Sequence, residues 1–347
     1  MGSAGTRVTL VDVASASGVS PSTASRALHG GAGVREELAF RVRAAAESLG
    51  YQVNQQARSL RRGRDDAIGV AMEDFTIPFF GRIVAVVERA AHARGYGVVI
   101  TCAGSGRSEE EAVEPLLSRS VSGLVVATGT RGAPEGYLAD VARRLPVVQV
   151  DAHGPSEISD AVGIDNVAAG RRLTEHLIAR GHERILFVGS GQAASTVVLR
   201  ARGYEAAMSA AGLSSRTAWL GYLPTEAAAL AARALTEAGD VTAVVSGVAR
   251  VTMGLLSAKR ALGLRHLAVV AIDDLAGADA FEPGLTVLEQ DVEDIAAHAA
   301  ELLFDRIGGY AGPPRHVQVP LQLIERGSGE LPPSPALAPD RTTAPTS

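Results

Sequence analysis

A chain of 347 residues is long enough for two or three domains, and with 46% hydrophobic residues it can bury a sizeable core. Its single cysteine, Cys102, excludes an intramolecular disulfide, no run approaches the ~18 apolar residues of a membrane span, and residues 1–10 lack the pattern of a secretory leader, so a soluble cytoplasmic protein is expected. The formal net charge of −5 speaks against nucleic acid for the chain as a whole, yet residues 1–64 carry nine arginines and four acids, a balance of +5 against −10 for the remainder. That asymmetry predicts a basic module joined to an acidic one.

The first predicted helix lies in "VTLVDVASAS", with Leu10, Val13 and Ala14 at helical spacing, Thr9 as its cap and Asp12 at the third helical position. Gly18 supplies the positive φ of a tight turn. Ser20 then caps a second helix in which Pro21 takes the first position, where a missing N–H costs nothing. Ala24, Ala27 and Leu28 form its narrow apolar stripe, while Ser22, Ser25, Arg26 and His29 face away. Small residues at Ala14, Gly18 and Ala24 allow two helices to cross steeply over a short turn, the geometry of a helix-turn-helix. An outward face of short hydroxyls and one guanidinium suits a major groove about 12 Å wide, where arginine reads guanine bidentately and hydroxyls reach phosphates or base edges. The alternative is a solvated surface helix. A third helix, "REELAFRVRAAAESLG", places Leu38, Val42, Ala45 or Ala46, and Leu49 on one face and stops at Gly50. In "YQVNQQARSLRRGR", Asn54 can cap a helix of only about six residues, too short to persist alone in water. Leu60, an apolar side chain among arginines, reads either as a surface residue or as a wedge for a minor-groove step.

"VTLVDVASASGVSPSTASRAL" and "YQVNQQARSL" resemble the DNA-binding domain and hinge of the LacI/GalR family of bacterial transcriptional regulators, without a gap from Val8 to about Arg64. The resemblance implies that the second helix reads the major groove, that the hinge folds only on DNA, and that paired hinge leucines of a dimer pry open the central base step. It makes Ser22, Thr23, Ser25 and Arg26 groove-facing, Thr9, Tyr51 and Asn54 contacts to the DNA backbone, and Arg58, Leu60 and Arg61 hinge residues; Ser20 and His29 complete the expected DNA-binding set. The chain departs from the family at Ala24 and Ala27 (usually valines), His29 (usually asparagine) and Val53 (commonly proline), which loosens packing or shifts operator preference.

From Ala67 the texture changes to apolar strand-like runs alternating with helical stretches: "AIGVAM", "GVVITC", "GLVVAT", "PVVQV", "AVGID", "RILFVG", "AVVSG", "LAVVAID" and "LTVLEQ", with helices such as 80–94, 167–180, 199–211 and 291–307. Such alternation predicts parallel sheets covered by helices on both faces, and so many strands fit two α/β lobes that exchange segments at a hinge. Ligand would lie in the cleft at the carboxyl ends of strands. The fold expected for the whole is an N-terminal all-α helix-turn-helix domain plus hinge helix, followed by a C-terminal α/β two-lobed domain with parallel sheets, similar to periplasmic binding proteins.

"PFFGRIVAVVERAAHARGYGVVI", "VGIDNVAAGRRLTEHLIARGHERILFVG", "LRARGYEAAM", "AIDD" and "LIERGSG" also resemble the effector domain of that family. By position, Phe79 and Phe80 would line the cleft or be ordinary core, Arg200 would clamp a polar ligand group, and Asp273 would accept hydroxyl hydrogen bonds, with Asp74 and Asp165 as further candidates. Val248 and Ala249 stand where the family usually shows Asn-Asp, Ile77 replaces an asparagine, and Leu223 holds a position that is often aromatic. These departures predict a cleft short of amide and carboxylate partners, hence a ligand with one anionic or strongly polar end on Arg200 and an apolar body against Phe79 and Phe80, or a degenerate site.

The expected boundaries are 1–53 for the helix-turn-helix domain, 54–66 for the hinge helix and linker, 67–327 for the two-lobed effector-binding and dimerisation domain, and 328–347 for a proline-rich disordered tail. No leucine heptad follows, so a homodimer is expected rather than a tetramer. Of enzyme signals, "GSGQAA" at 189–194 resembles a dinucleotide-binding turn, but Glu205 falls inside a predicted helix where an acid ending the next strand is required. Cys102 has no His or Asp in a recognisable partner motif and reads as a small buried residue. The eight histidines lack ligand spacing, so neither cofactor nor metal is expected. The sequence therefore predicts a transcriptional repressor that binds pseudo-palindromic double-stranded DNA and answers to a small-molecule effector. The alternative is a cytoplasmic ligand-binding or NAD-dependent α/β protein without operator binding.

Overall fold

The computed structural model describes residues 8–28, 35–51, 66–75, 77–104, 107–127, 136–151, 157–191, 195–221 and 224–334. The chain separates into two compact units, Met1–Asp65 and Asp66–Ser347.

In the first unit, helix α1 (Leu10–Ser17) opens with a capping box: the Thr9 hydroxyl accepts from the Asp12 N–H, and the Asp12 carboxylate accepts from the Thr9 N–H at 2.8 Å. Gly18, at φ 66°, turns the chain, and Ser20 Oγ accepts from the Thr23 N–H at 3.2 Å to start α2 (Pro21–Leu28). Helix α3 (Glu36–Ser48) closes the unit over a core of Val13, Ala14, Ala24, Ala27, Ala39, Val42 and Ala46. Five of those seven are alanines, so the helices approach closely and little apolar area is buried. The buried face of α3 differs from the expected one. Ala39, Val42 and Ala46 are buried, Leu38 is half-buried and Leu49 is exposed, because the alanine-rich surface of α1 and α2 leaves room for small side chains only. The expected hinge helix lies outside the described residues.

The second unit contains two six-stranded sheets. Strands β1 (Ala67–Met72), β2 (Gly97–Cys102), β3 (Leu124–Ala127), β4 (Val147–Val150) and β5 (Asp160–Gly163) belong to the first. Strands β6 (Ile185–Ser190), β7 (Arg216–Leu220), β8 (Ala243–Ser246), β9 (Ala268–Ile272) and β10 (Thr286–Gln290) belong to the second. The chain then returns, adding β11 (His316–Gln318) to the first sheet and β12 (Leu321–Ile324) to the second, in the orders β11-β5-β4-β3-β1-β2 and β12-β10-β9-β8-β6-β7. All pairings are parallel except β10 with β12. The chain thus passes between lobes three times, after β5, after β10 and after β11. All nine expected strands are present, and β7, whose mixed run "RTAWL" carries no clear period, joins them together with the returning β11 and β12. Strands β3, β6, β8 and β9 are buried throughout, as apolar strands under helices on both faces must be. In the second lobe the helices Asn166–Ile178 and Ser195–Ala210 meet backbone to backbone: a Cβ on Gly170 would collide with the Arg200 carbonyl oxygen, and one on Gly203 with that of Val167.

The disordered tail expected from 328 does not begin there. Ser328 is buried, its Oγ donating to the Val269 carbonyl and accepting from the Thr286 N–H at 2.9 Å. Glu330 accepts from Thr286 Oγ1 at 2.7 Å and the Gly327 N–H at 2.6 Å, and lies 2.6 Å from His176 Nε2. His182 Nε2 lies 2.9 Å from the Leu331 carbonyl oxygen. Composition hid this staple, because the polar side chains that read as tail satisfy buried groups of the second sheet. Residues 335–347 lie outside the described residues.

Burial alone would raise the Glu330 carboxyl, but the hydrogen bonds from Thr286, His176 and Gly327 outweigh it and hold the group below the ordinary glutamate value. A depressed carboxyl adds stability that is present above its unfolded pKa and lost as pH falls through the folded one. Glu330→Gln should therefore lower stability at neutral pH by about 1–3 kcal/mol and flatten its acid dependence. Thermal unfolding from pH 7 down to pH 3 checks this; curves that stay parallel would show that Glu330 is not held as described.

Candidate functional site

Two surfaces collect the sequence-predicted residues, one on each unit. On the first, Ser20, Ser22 and Arg26 are exposed and Thr23 and Ser25 half-buried along the outer side of α2, opposite the buried Ala24 and Ala27. Ser20 Oγ lies 2.8 Å from Thr23 Oγ1 and 3.1 Å from Ser22 Oγ, and Arg26 Nε donates to the Ser22 carbonyl at 3.4 Å. The face is therefore a ridge of hydroxyls with one guanidinium. Thr9 stands exposed at the α1 cap, whereas Tyr51 packs half-buried against the alanine core. His29, Asn54, Arg58, Leu60 and Arg61 lie outside the described residues.

On the second unit the carboxyl ends of both sheets face each other across a cleft. Glu73 follows β1, Asp151 follows β4, Ser190 ends β6, Asp273 follows β9 and Gln290 ends β10. Together with Ile77, Phe79, Phe80, Thr196, Arg200, Val248, Ala249 and Arg250 they enclose a cavity of about 50 Å³, room for a few waters and no more. Asp151 and Asp273, one at the end of a strand in each sheet, have φ of 54° and 66°. Non-glycine residues rarely hold such values, and they cluster at functional sites.

Arg200 is buried at 4% exposure. Its Nε donates to Asn166 Oδ1 at 2.8 Å and its Nη1 to the Gly247 carbonyl at 3.0 Å, so two arms are fixed within its own lobe. The third arm, Nη2, lies 3.8 Å from Asp151 Oδ1 in the other lobe. Gln290 Nε2 donates to Asp273 Oδ1 at 2.6 Å. Two buried acceptors of the cleft, Asp151 Oδ1 and Gln290 Oε1, have no hydrogen-bond partner among the described residues. Burial pushes the Asp151 carboxyl up to about 7, against the pull of Arg200 and with help from Asp273 and Glu73. Burial likewise raises Asp273, opposed by Arg200 and the Gln290 hydrogen bond.

Phe79 and Phe80 satisfy both readings given above. They are buried, packed edge to face at 5.2 Å within the core, and line the cavity. Arg200 and Asp273 also line it. Asp165 does not: it is exposed and accepts from the Ala168 N–H at 2.8 Å, which makes it the cap of helix Asn166–Ile178 rather than a cleft residue. Asp74 stands beside the cavity, 3.0 Å from Arg250 Nη1. The expectation of a cleft poor in carboxylates and amides is corrected, since Glu73, Asp151, Asp273 and Gln290 all line it. Sequence reasoning missed Glu73, Asp151, Arg250 and Gln290, although three of them end or directly follow apolar strands.

The dinucleotide reading lacks the acid it requires. Glu205 lies within helix Ser195–Ala210, and the next strand, β7, ends in Leu220 and is followed by Gly221, where a ribose-binding acid would be required. Cys102 is half-buried with Sγ 3.4 Å from the Glu73 carbonyl oxygen. His176, Glu325 and Glu330 cluster closely enough to share a cation, but Arg180 donates to His176 Nδ1 at 3.0 Å and pairs with Glu325 at 3.1 Å, supplying that charge itself.

Residues 9–54 match the family model described as bacterial regulatory proteins, lacI family, and residues 174–329 match that of a periplasmic binding protein-like domain. The HTH-type transcriptional regulator PtxS of Pseudomonas plecoglossicida is 34% identical over 330 residues, covering 93% of this chain and 96% of its own. Among solved structures, a transcriptional regulator CelR–cellobiose complex is 30% identical over 93% of this chain and 100% of its own, with a TM-score of 0.67. A lac repressor dimer bound to operator and the anti-inducer ONPF, 24% identical, shares the fold over 93% of this chain and 99% of its own with a TM-score of 0.82.

A raised carboxyl destabilises the fold progressively as pH rises from its unfolded value toward its folded one, because the native state keeps the proton longer. Asp151→Asn should therefore stabilise the protein by roughly 2–4 kcal/mol at pH 8 and hardly at all at pH 4. Denaturant unfolding at the two pH values checks the sign; a variant less stable at pH 8 would show that Asp151 is held as a charged partner of Arg200.

Proposed function

This chain belongs to the lacI family of bacterial regulatory proteins, and from that premise we propose that it is a cytoplasmic repressor that binds a pseudo-palindromic operator as a homodimer. The observation that carries the reading is the outer side of α2: Ser20, Ser22, Thr23, Ser25 and Arg26 share one ridge while the opposite side is sealed by alanines. A helix held down by so small a core keeps its polar ridge proud enough to enter a major groove. One such module buries little DNA, so specificity needs two half-sites and therefore two copies. Leu60 and the arginines Arg58 and Arg61 are proposed to act at the hinge, the leucine as a wedge between base pairs.

The cleft of the second unit is proposed as the effector site. Its two buried acceptors without a hydrogen bond, on Asp151 and Gln290, call for a ligand rich in hydrogen-bond donors. Arg200 has already committed two arms within its own lobe, which disfavours the anionic end that sequence reasoning expected it to hold. A polyhydroxylated effector, of the kind named in the CelR–cellobiose complex, supplies such donors. Ligand acts on operator affinity only through its differential affinity for the two lobe arrangements, and no reaction is assigned to the cleft.

Arg26→Ala should cost about 1–3 kcal/mol on the preferred operator, relax base preference at one position in each half-site, and leave random-sequence binding nearly unchanged. Equal losses on preferred and random duplexes, measured at one salt concentration, would reduce Arg26 to a phosphate contact.

A further inference from the structure

Helix Ala249–Ala261 begins in an unusual way. Its N-cap is Val248, which offers no side-chain cap, its first residue is Ala249, and its second is a cation, Arg250. Helix N-termini favour acids and disfavour cations, so a buried guanidinium at this position calls for carboxylate partners. Two such partners lie across the cleft. Arg250, with a side chain only 5% exposed, places Nη1 3.0 Å from Asp74 Oδ2 and Nη2 3.5 Å from Glu73 Oε1, both carboxylates on the segment that follows β1 in the first sheet. The guanidinium thus spans from one lobe to the other beside a cavity of about 50 Å³.

We propose that Arg250 is a tethered bridge that holds the lobes closed over the cleft before any effector arrives. The position is one at which a bound ligand would link the same two lobes, and the chain fills it with a side chain of its own. Ion pairs this buried persist only while both partners are present, because removing one leaves the other charge without compensation in a poorly solvated place. Closure of this kind has a consequence for ligand entry: the binding-competent open form is a minor population, so apparent affinity falls by that fraction. Arg250 is therefore a positioning residue that limits which ligands enter and how readily. The role in ligand entry rests on the cleft being the effector site, whereas the bridge itself rests on the geometry alone.

The test uses the ligand-free full-length protein and follows amide hydrogen exchange in the segments 71–75 and 247–252, with small-angle scattering as a measure of lobe separation. Arg250→Gln and Asp74→Asn should each speed exchange in both segments by about tenfold and enlarge the particle, while Arg250→Lys retains most of the protection. The double variant should exchange no faster than Arg250→Gln alone, since that change already removes the pairings to both Asp74 and Glu73. If either single variant leaves both segments and the scattering profile unchanged, or if the two effects simply add, the bridge is overturned. Should Arg250→Gln fail to fold, Asp74→Asn alone decides, because it keeps the guanidinium and Glu73. Failure of the bridge with operator binding intact sinks this inference only; absence of operator binding in the unaltered protein sinks the regulator reading and leaves the exchange result standing.

Discussion

The backbone contact between helices Asn166–Ile178 and Ser195–Ala210 is the constraint on which the cleft depends. Gly170 lies against the Arg200 carbonyl and Gly203 against that of Val167, with no room for a Cβ at either place. This approach brings Asn166, at the start of one helix, within hydrogen-bond reach of Arg200, near the start of the other. Once two of its arms are fixed, to Asn166 and the Gly247 carbonyl, the third is aimed at Asp151 in the opposite lobe. A buried guanidinium whose donors are paired in this way avoids the penalty of an uncompensated buried charge. Burial where the two sheets converge raises the Asp151 and Asp273 carboxyls against the pull of Arg200, and both residues hold left-handed backbone there.

Close packing by small residues also shapes the first unit, for a different purpose. There the alanines of α1, α2 and α3 let three short helices nest with little apolar bulk, and the outer side of α2 is left entirely polar. The arginine excess of residues 1–64 sits on this unit, and the acidic excess on the other. A positive module draws polyanionic DNA while the negative one does not compete for it.

Much of the architecture was legible because buried parallel strands are short continuous apolar runs, and nine of them stood out between helical stretches. Strand β7 did not, since its Arg216 and Thr217 break the apolar run at an edge of the sheet. The capping box of Thr9 and Asp12, the turn at Gly18 and the stop at Gly50 were local chemistry and could be read directly. The character of the cleft was not legible. Glu73, Asp151, Arg250 and Gln290 stand far apart in sequence, each alone after or beside an apolar run, and only the convergence of two sheets makes them one polar cluster. Judging the cleft from Ile77, Val248 and Ala249 counted the polar groups that were missing and overlooked those supplied elsewhere. Residues 328–331 misled in the opposite sense, because a Ser-Gly-Glu run beside prolines looks solvated until Thr286, Val269 and His176 are placed next to it.

Sequence-specific recognition of a two-fold DNA site by paired α2 ridges is the central claim, and recovery of bound duplexes from a random pool by the full-length protein tests it most directly. Such recognition enriches a single motif made of two inverted half-sites around a flexible central step, with binding that weakens steeply as salt rises. Enrichment of no motif, or of an asymmetric one bound by a single copy, would contradict it.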